Sequence, residues 1–411
     1  MKKLIAGIGF LCLGAGWVGC SSRPAEEPME AVVERGLERA ARQSLQMAKE
    51  LEDQEGKLPK SMKDGQLETS GYSWWCSGFF PGELWYLYEA TSDPRLKAYA
   101  EQFTQRLEPV KDITYSHDVG FMLNCSYGNG WRLTHNEAYR DVMLQGARSL
   151  ATRYNERVGL IRSWDFNRDK WQYPVIIDNM MNLEFLLWAA REGNDPRYYE
   201  MAVSHADKTL RHHFRPDGST WHVVSYDTLT GEPHVKQTHQ GYADSSAWAR
   251  GQAWALYGYT MMYRDTQRKD YLHQACKVAR YLMEHPRMPE DKVPYWDFDD
   301  PKIPDVPRDA SAAAIMASAL IDLSQLTDKE FGQQCLEFAE RQLRSLTSPV
   351  YLAEPDTNCH FVLMHCTGHL PGNSEVDVPL SYADYYYVEA LVRWKKLKAE
   401  ENESVEKPVN K

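Results

Sequence analysis

The sequence predicts an all-α protein whose helices form an (α/α)6 barrel, a closed ring of six helical hairpins. One observation is a succession of segments in which apolar residues recur with helical spacing. A second is their alternation, because segments such as 178–192 are apolar on nearly every side, whereas segments such as 329–346 carry charge on one face. A third is the lack of polar capping repeats at either end of the series, which favours a closed ring over an open solenoid. The predicted helices are 30–52, 80–91, 95–107, 117–127, 136–154, 178–192, 197–214, 245–265, 270–286, 309–327, 329–346 and 381–397.

Short repeated motifs mark the turns between predicted inner and outer helices. Asp93-Pro94-Arg95 and Asp195-Pro196-Arg197 each follow an apolar helix, and aspartate followed by proline is favoured at the start of a helix. The repeat spacing is irregular, about forty to seventy residues, which is typical of hairpins joined by loops of different length. The longer inserts are 155–177, 215–244, 287–308 and 347–380, and 218–237 can hold a short hairpin. Loops of this length in a single domain usually carry function.

The first twenty residues are typical of a bacterial lipoprotein signal peptide. Lys2 and Lys3 precede an apolar run, 4–18, that is too short to span a bilayer well. Cys20 would become the lipidated first residue, although Trp17 departs from the small aliphatic residue usual at that position. We predict a signal peptide over 1–20, a polar tether over 21–28, one (α/α)6 domain over 29–400 and a polar tail over 401–411. The expected location is the bacterial envelope, periplasmic or at the cell surface, with the lipid anchor as the contact with the membrane.

The charge balance argues against nucleic acid as a partner. The chain has 47 basic and 58 acidic residues, a formal charge of −11, and no basic run longer than Lys395-Lys396. The 13 tryptophans and 24 tyrosines can supply the walls of a small-molecule site. The cysteines beyond the signal segment show no CxxC motif and no regular spacing, which predicts free thiols.

Residues 173–190, YPVIIDNMMNLEFLLWAA, place a carboxylate at the start of a helix that is apolar on nearly every side. An ionised Asp178 in that position is costly unless it is hydrogen-bonded or functional. Aspartate is also a favoured N-cap residue. From this stretch alone, capping and catalysis are both open interpretations.

The starts of the other predicted inner helices carry similar chemistry. All inner helices of such a barrel begin at the same end, so the residues at their starts are expected to converge on one cavity. Taken singly, Asp118, Asp244, Asp309 and Asp384 are best explained as helix caps. Aromatic walls combined with a few fixed polar groups suit a sugar, whose C–H faces stack on rings and whose hydroxyls need partners. The segments concerned are 74–82, 117–121, 178–179, 239–254, 308–311 and 381–386.

From Trp75 to Tyr385 the sequence resembles the unsaturated glucuronyl hydrolases, glycoside hydrolase family 88. The matching motifs, in family order, are WCSGFFPGELW, HDVGFM, IIDNMMNLEFLLWA, HQGYADSSAWARGQAWALYG and YADYYYVEAL. The resemblance implies an (α/α)6 barrel, in agreement with the helix pattern. It also implies hydration of the C4=C5 double bond that polysaccharide lyases leave on the terminal uronic acid of unsaturated glycosaminoglycan disaccharides.

The resemblance assigns roles to individual residues and implies no cofactor and no metal. Asp178 matches the general acid and base, and Asp118 matches the second aspartate, with His117 beside it. Arg250 would pair with the substrate carboxylate or with a neighbouring group. The remaining matched residues are the sugar-contacting His222, His239 and Gln240, the wall residues Trp75, Trp164 and Trp254, and Tyr385 as a hydrogen-bonding partner of the substrate.

Two other functions remain open at this point. One is the related unsaturated rhamnogalacturonyl hydrolase activity of family 105 on pectin fragments, which shares the DNMMNLE motif but not the long arginine-containing motif at 239–254. The other is a surface glycan-binding lipoprotein without turnover, which would not need to keep both Asp118 and Asp178. Some relatives read a sulfate through serine and lysine before the last helix. Here no lysine or arginine lies between Tyr351 and Val392, so a sulfate would rely on His365, His369, Ser374 or main-chain N–H groups.

Overall fold

The computed structural model describes residues 27–406, and its helices follow one another in antiparallel pairs. The predicted signal peptide, Cys20 and the tether up to residue 26 lie outside the described residues. The helices are α1 (Met29–Leu51), α2 (Phe79–Thr91), α3 (Pro94–Gln105), α4 (Val119–Leu123), α5 (Asn129–Thr134), α6 (Glu137–Ala151), α7 (Leu183–Glu192), α8 (Pro196–His212), α9 (Ala249–Thr266), α10 (Lys269–Met283), α11 (Ala310–Ser324), α12 (Lys329–Leu346) and α13 (Ser381–Glu406). The predicted (α/α)6 barrel is confirmed.

Six helical units form the inner ring of the barrel. They are α2, the α4–α5 unit, α7, α9, α11 and α13, and each packs against the next, with α13 returning to α2. A π-helical turn, Asn124–Gly128, joins α4 to α5, and a 3-10 turn, Ile177–Asn182, leads into α7. Helix α11 is buried on every side over Ala310–Ile321, as its alanine-rich sequence predicts. The outer helices, such as α12, bury one face and expose the other.

The helix caps follow the sequence only in part. Asp93 and Asp195 accept hydrogen bonds from the main-chain N–H groups two residues on, with proline in the first turn, as predicted. Asp309 caps α11 through Ser311 N. The capping interpretation is wrong for the other acids. Asp118 makes no side-chain capping bond, Asp178 lies within the 3-10 turn, Asp244 accepts from Thr238 N, and Asp384 accepts from Val362 N and Leu363 N.

Short strands occupy the loops between hairpins. Antiparallel pairs are formed by β1 (Leu58–Lys63) with β2 (Gln66–Ser70), β3 (Tyr154–Asn155) with β4 (Leu160–Ile161), and β8 (Cys366–His369) with β9 (Ser374–Val378). A three-stranded sheet has the order β5 (Pro174–Ile176), β6 (Val223–Tyr226), β7 (Pro233–Gln237). The β6–β7 pair is the hairpin predicted within 218–237.

Several predicted boundaries differ from the structure, including those of α9 and α13. Helix α9 begins at Ala249, not 245, because residues 239–247 form a loop that is tied by Asp297 to the following insert. Helix α13 continues to Glu406, so the predicted domain end at 400 lies inside a helix. The six cysteines of the described chain are free thiols, and all except Cys359 are buried. Between residues 27 and 406 no helix is long and apolar enough to cross a membrane.

Candidate active site

A cavity of about 540 Å³ opens at the end of the barrel where the inner helices begin. Its deepest acid is Asp178, which is buried, while Trp74, Tyr115 and Phe166 are 41%, 57% and 48% exposed and form its rim. Predicted site residues that line this catalytic cavity are Trp75, His117, Asp118, Trp164, Asp178, His239, Gln240 and Arg250. The structure therefore brings together residues separated by up to 175 positions in the chain.

Asp178 lies in the 3-10 turn before α7, at the point where the β5 strand enters the barrel. The pKa of its carboxyl is raised to about 7, mainly by burial and in part by the nearby Asp118 carboxylate, while Arg250 and a hydrogen bond with Trp254 oppose the rise. Its Oδ2 atom is buried and has no hydrogen-bond partner among the described residues. A carboxyl that holds its proton near neutral pH, with one oxygen unused, is suited to general acid catalysis.

Asp118 precedes α4 and is held by its neighbours in sequence. Ser116 Oγ donates to Asp118 Oδ2 at 2.9 Å, and His117 Nε2 lies 3.2 Å from Asp118 Oδ1. Burial lowers the pKa of His117, so the imidazole is neutral at pH 7 and Asp118 is left as the charged partner of Asp178. Asp118 lines the same cavity as Asp178 and helps to raise the pKa of the Asp178 carboxyl.

His222 lies behind Asp178 in a fixed tautomer. The main-chain N–H groups of His239 and Gln240 both donate to His222 Nδ1, at 3.0 and 3.1 Å. Burial lowers the pKa of His222 well below its ordinary value, so the ring is neutral and its one proton is on Nε2. That Nε2–H is 3.7 Å from Asp178 Oδ2 and has no other partner in the described chain.

Arg250 is buried and occupied by protein groups. It pairs with Asp309 at 3.0 Å and donates to the carbonyl oxygens of Thr367 and Gly368 at 2.5 and 2.6 Å. The sequence left open whether Arg250 pairs with the substrate carboxylate or with a neighbouring group. In the structure, Arg250 pairs with neighbouring protein groups. Arg250 thereby fastens the β8–β9 hairpin to α9, and Gln240 Nε2 donates to the same Gly368 oxygen at 3.2 Å.

Aromatic rings form two walls of the cavity. Trp75 packs against Tyr382, with ring centroids 4.8 Å apart, and Trp164 stacks on Phe166 at 4.8 Å with an interplanar angle of 13°. His239 lies beside Trp164, at 5.6 Å. Trp254 is not part of the lining surface, because it is buried between Phe121 and Tyr386 beneath Asp178. The catalytic cavity is therefore shaped to bind flat, apolar faces beside a protonated acid.

Comparisons with known proteins agree with this geometry. The model of Glycosyl Hydrolase Family 88 matches residues 39–398. The chain belongs to glycoside hydrolase family 88. The unsaturated glucuronyl hydrolase of Formosa agariphila is 50% identical over 320 residues, 78% of this chain and 79% of that protein. The unsaturated chondroitin disaccharide hydrolase of Streptococcus pyogenes serotype M1 is 32% identical over 81% of this chain and 84% of its own length.

A solved structure agrees in fold as well as sequence. The crystal structure of an unsaturated glucuronyl hydrolase specific for heparin has a TM-score of 0.86 and 47% identity, covering 89% of this chain and 98% of that one. These comparisons identify the family 88 hydrolase as an enzyme of the unsaturated glucuronyl hydrolase type.

Tyr385 was predicted to hydrogen-bond to the substrate of this family 88 hydrolase, but it does not line the catalytic cavity. Its hydroxyl accepts from Asn129 Nδ2 at 3.2 Å and faces a second cavity, of about 450 Å³, at the opposite end of the barrel. We call this the basal cavity, and it is lined by residues that include Tyr86, Arg132, Glu184, Arg191, Tyr257, Arg264, Tyr385, Glu389, Arg393 and Lys396. The physical reason is helical position, since Tyr382 lies one turn earlier in α13 and lines the catalytic cavity in its place.

Several lining residues of the family 88 hydrolase were missed as site residues. Tyr382, Tyr115, Phe166 and Glu375 line the catalytic cavity together with Trp74, which lies in the predicted segment 74–82. Tyr382 could have been identified from its place in the YADYYYVEAL motif. Phe166 could have been identified from its position two residues after Trp164. Nothing in the local sequence marks Glu375.

Across 27–406, no three His, Cys, Asp or Glu side chains are arranged to hold a metal ion. His213 Nε2 contacts Val175 O at 3.1 Å, and burial lowers its pKa to about 3, so His213 is a neutral structural residue.

Proposed function

We propose that this family 88 hydrolase removes the 4,5-unsaturated uronic acid from glycosaminoglycan di- and oligosaccharides produced by lyases. The observation that carries the proposal is Asp178, a buried carboxyl with a pKa near 7 at the floor of an aromatic cavity. Hydration of a vinyl ether begins with proton transfer to carbon, which requires an acid that is still protonated at the working pH. A non-catalytic glycan binder does not explain a protonated acid with a free oxygen atom as well. The pectin-directed alternative would use the same acid, and it is less favoured because of the arginine-containing motif at 239–254 and the similarity to unsaturated glucuronyl hydrolases.

The reaction follows from the electronic structure of the unsaturated ring. The Asp178 carboxyl donates its proton to C4, and the positive charge that develops is shared by C5 and the ring oxygen. Water attacks C5 and returns a proton to the Asp178 carboxylate. The resulting hemiketal opens to a C5 ketone, and the link at C1 then breaks to release the second sugar. Each turnover consumes one water molecule and restores the protonated acid.

The surrounding residues hold the reacting groups in place. Asp118 keeps the proton on Asp178 and, as an anion, stabilises the positive charge that develops after proton transfer. We assign the positioning of the attacking water to His222, whose Nε2–H is 3.7 Å from Asp178 Oδ2, and to Gln240, which lines the cavity. Trp75 and Trp164 bind the faces of the sugar rings.

The location of the protein is part of the same proposal. We infer that the chain is a lipoprotein, processed after residue 19 and lipidated on Cys20, and that it acts in the bacterial envelope on fragments that reach it there. Incorporation of labelled palmitate in the wild type, and its loss in Cys20→Ser, would support this. Equal labelling of both proteins, or of neither, would contradict it.

One assay tests the activity directly. The conjugated double bond of the unsaturated uronate absorbs ultraviolet light, so its loss measures turnover on unsaturated hyaluronan, chondroitin and heparin disaccharides. We expect absorbance to fall for at least one of them, and deuterium to enter at C4 when the reaction runs in heavy water. Stable absorbance with every substrate would refute the activity, and deuterium found elsewhere would refute the hydration step.

A further inference from the structure

Asn182 ends the 3-10 turn that carries Asp178, and the direction of its side-chain amide is fixed. The residue is fully buried, and its Oδ1 atom accepts a hydrogen bond from Phe121 N, in α4, at 2.8 Å. A main-chain N–H group can only donate, so it determines which end of the amide is the oxygen. A Cβ atom on Gly120 would come within 2.4 Å of the same oxygen, so the amide is packed closely against α4. The nitrogen, Nδ2, is therefore the end that faces away from Phe121.

His117 is the residue that this nitrogen contacts. Asn182 Nδ2 lies 3.5 Å from His117 Nδ1, at the long end of the hydrogen-bonding range. Burial lowers the pKa of His117 although Asp118 opposes the shift, and Arg153 lowers it further, so the ring is neutral and has one proton. An amide nitrogen can only donate, so the contact requires that this proton is on Nε2 and not on Nδ1. Asn179 Oδ1, from a side chain near the same ring, is buried and accepts no hydrogen bond within the described chain, as expected of a ring with no second proton to give.

The Nε2 atom of His117 faces Asp118. It lies 3.2 Å from Asp118 Oδ1, and with its proton in place this contact is a hydrogen bond to the carboxylate. With the proton on Nδ1, two lone pairs would face each other across the same distance. Ser116 Oγ donates to the other oxygen, Oδ2, at 2.9 Å. Each oxygen of Asp118 thus has a donor, which suits an ionised carboxylate.

Asp118 in turn acts on the acid of the proposed reaction. After burial, the Asp118 carboxylate contributes to the raised pKa of Asp178, while Arg250 of α9 opposes the rise. The neutral ring of His222 lies on another side, 3.7 Å from Asp178 Oδ2. Contacts therefore lead from the main chain of α4 through Asn182 and His117 to Asp118, and the charge of Asp118 acts on Asp178.

We propose that Asn182 is a positioning residue, which holds His117 in the Nε2–H tautomer and so keeps Asp118 hydrogen-bonded and negatively charged beside Asp178. The proposal rests on the proposed function, because Asn182 acts through the acid of that reaction. Asn182 is not among the residues that line the catalytic cavity, so it does not touch the substrate. Its contribution is to the pH range in which Asp178 keeps its proton.

The test is Asn182→Asp, which keeps the size of the side chain and the acceptor for Phe121 N. The substitution exchanges the Nδ2 donor for an oxygen, and His117 Nδ1 can hydrogen-bond to an oxygen only by taking a proton. The ring then either becomes positively charged or loses its Nε2–H, and both outcomes weaken the effect of the Asp118 charge on Asp178. We expect the high-pH limb of kcat to move down by about one pH unit, so that kcat at pH 8 falls by roughly tenfold. Loss of ultraviolet absorbance from an unsaturated disaccharide measures it.

A structural role alone would not move this limb, because a variant that merely folded less well would lose turnover by the same factor at every pH. The tautomer is measured directly by long-range proton–nitrogen NMR spectra of protein with isotopically labelled histidine, in which the His117 signals are assigned by their loss in His117→Gln. We expect the proton on Nε2 in the wild type and protonation of Nδ1 in Asn182→Asp. The wild-type spectrum tests the inference even if the variant does not fold, because a proton on Nδ1 there would overturn it.

The control is Asn136→Asp at the N-terminus of α6, which makes the same exchange at an exposed residue that lines neither the catalytic nor the basal cavity. Aspartate can accept from Ala138 N as asparagine does, so the control should fold and keep the wild-type limb. A limb that stays in place or moves to higher pH in Asn182→Asp, or that moves equally in both variants, would overturn the inference. A wild type that turns over no unsaturated disaccharide would instead refute the proposed function, and the NMR spectra would still decide whether Asn182 holds His117 in this tautomer.

Discussion

The two ends of the barrel contain cavities of similar size and opposite character. The catalytic cavity lies where the inner helices begin, and the basal cavity lies where they end. Five cations line the basal cavity, and each has a carboxylate partner: Arg132 with Glu89, Arg191 with Asp265, Arg264 with Glu184, Arg393 with Glu389 and Lys396 with Glu89. Cations near the C-terminal ends of helices are also favoured by the helix dipole.

The difference lies in which polar atoms are left without a partner. Within residues 27–406, no buried side-chain nitrogen or oxygen that lines the basal cavity lacks a hydrogen bond. In the catalytic cavity Trp164 Nε1, Asp178 Oδ2 and the Tyr382 hydroxyl all lack one, as does His222 Nε2 behind them. Unpaired buried polar atoms cost stability. We expect the substrate to supply partners to those atoms that line the catalytic cavity.

The largest effect should come from Asp178→Asn. The amide is close to the carboxyl in size but has no proton to give to C4, so kcat should fall by roughly 10³-fold or more. Turnover is measured by the loss of ultraviolet absorbance, and binding of the unsaturated disaccharide by calorimetry. Binding and the circular dichroism spectrum should stay close to those of the wild type. An Asp178→Asn enzyme with substantial turnover would transfer the acid role to Asp118.

The opposite end should respond in stability and not in catalysis. Glu389 accepts hydrogen bonds from Tyr86, Tyr257 and Ser318 and pairs with Arg393. Glu389→Gln removes the charge from this buried network, and we expect a loss of about 3 kcal/mol in the free energy of unfolding. Urea denaturation measures it, while kcat of the folded enzyme should be unchanged.

A matched control for Glu389 is Glu330→Gln in the first turn of α12, where the side chain is exposed. Its free energy of unfolding should change by less than about 0.5 kcal/mol. If Glu389→Gln lowered kcat as Asp178→Asn does, the separation of the two ends into a catalytic and a structural cavity would be wrong.

The contrast between the ends was only partly predictable from sequence. Apolar periodicity identified α11 and α7 as inner helices because packing inside a ring leaves no polar face. Convergence at helix starts brought Asp118 and Asp178 into one site. By contrast, the Arg250–Asp309 pair joins residues 59 positions apart, and local sequence carries no signal for that contact. Tyr385 was misplaced because three residues along α13 change both the direction of the side chain and its depth in the barrel.

The pH dependence should report the catalytic end. Asp178 is active as an acid while protonated, and its pKa is about 7, so kcat should fall by about tenfold for each unit of pH well above 7. The stability of the folded protein should also decrease as pH rises. Because the folded pKa is raised above the ordinary value of 3.8, the stability that protonation provides is present at pH 4 and is lost as pH rises through 7.

Asp178→Asn isolates this contribution to stability. The variant should melt at a higher temperature than the wild type at pH 8, where the wild type must bury an ionised carboxylate, and at a similar temperature at pH 4. A difference that is the same at both pH values would mean that Asp178 titrates near its ordinary pKa in the folded protein. The high-pH limb of kcat would then belong to another group.

The smallest effects should separate Tyr382 from Tyr385, which are one turn apart and face opposite ends. Tyr382→Phe removes a buried hydroxyl that has no partner, so the free protein should become slightly more stable, while kcat/KM falls by roughly tenfold through the lost bond to substrate. Tyr385→Phe breaks the bond from Asn129, so stability should fall by about 1 kcal/mol with kcat/KM unchanged. Thermal melts and the absorbance assay give, for each variant, the direction of the change in stability and in kcat/KM. Reversed signs would move the substrate to the basal cavity, whereas parallel losses in both variants would mean that neither hydroxyl distinguishes the two ends.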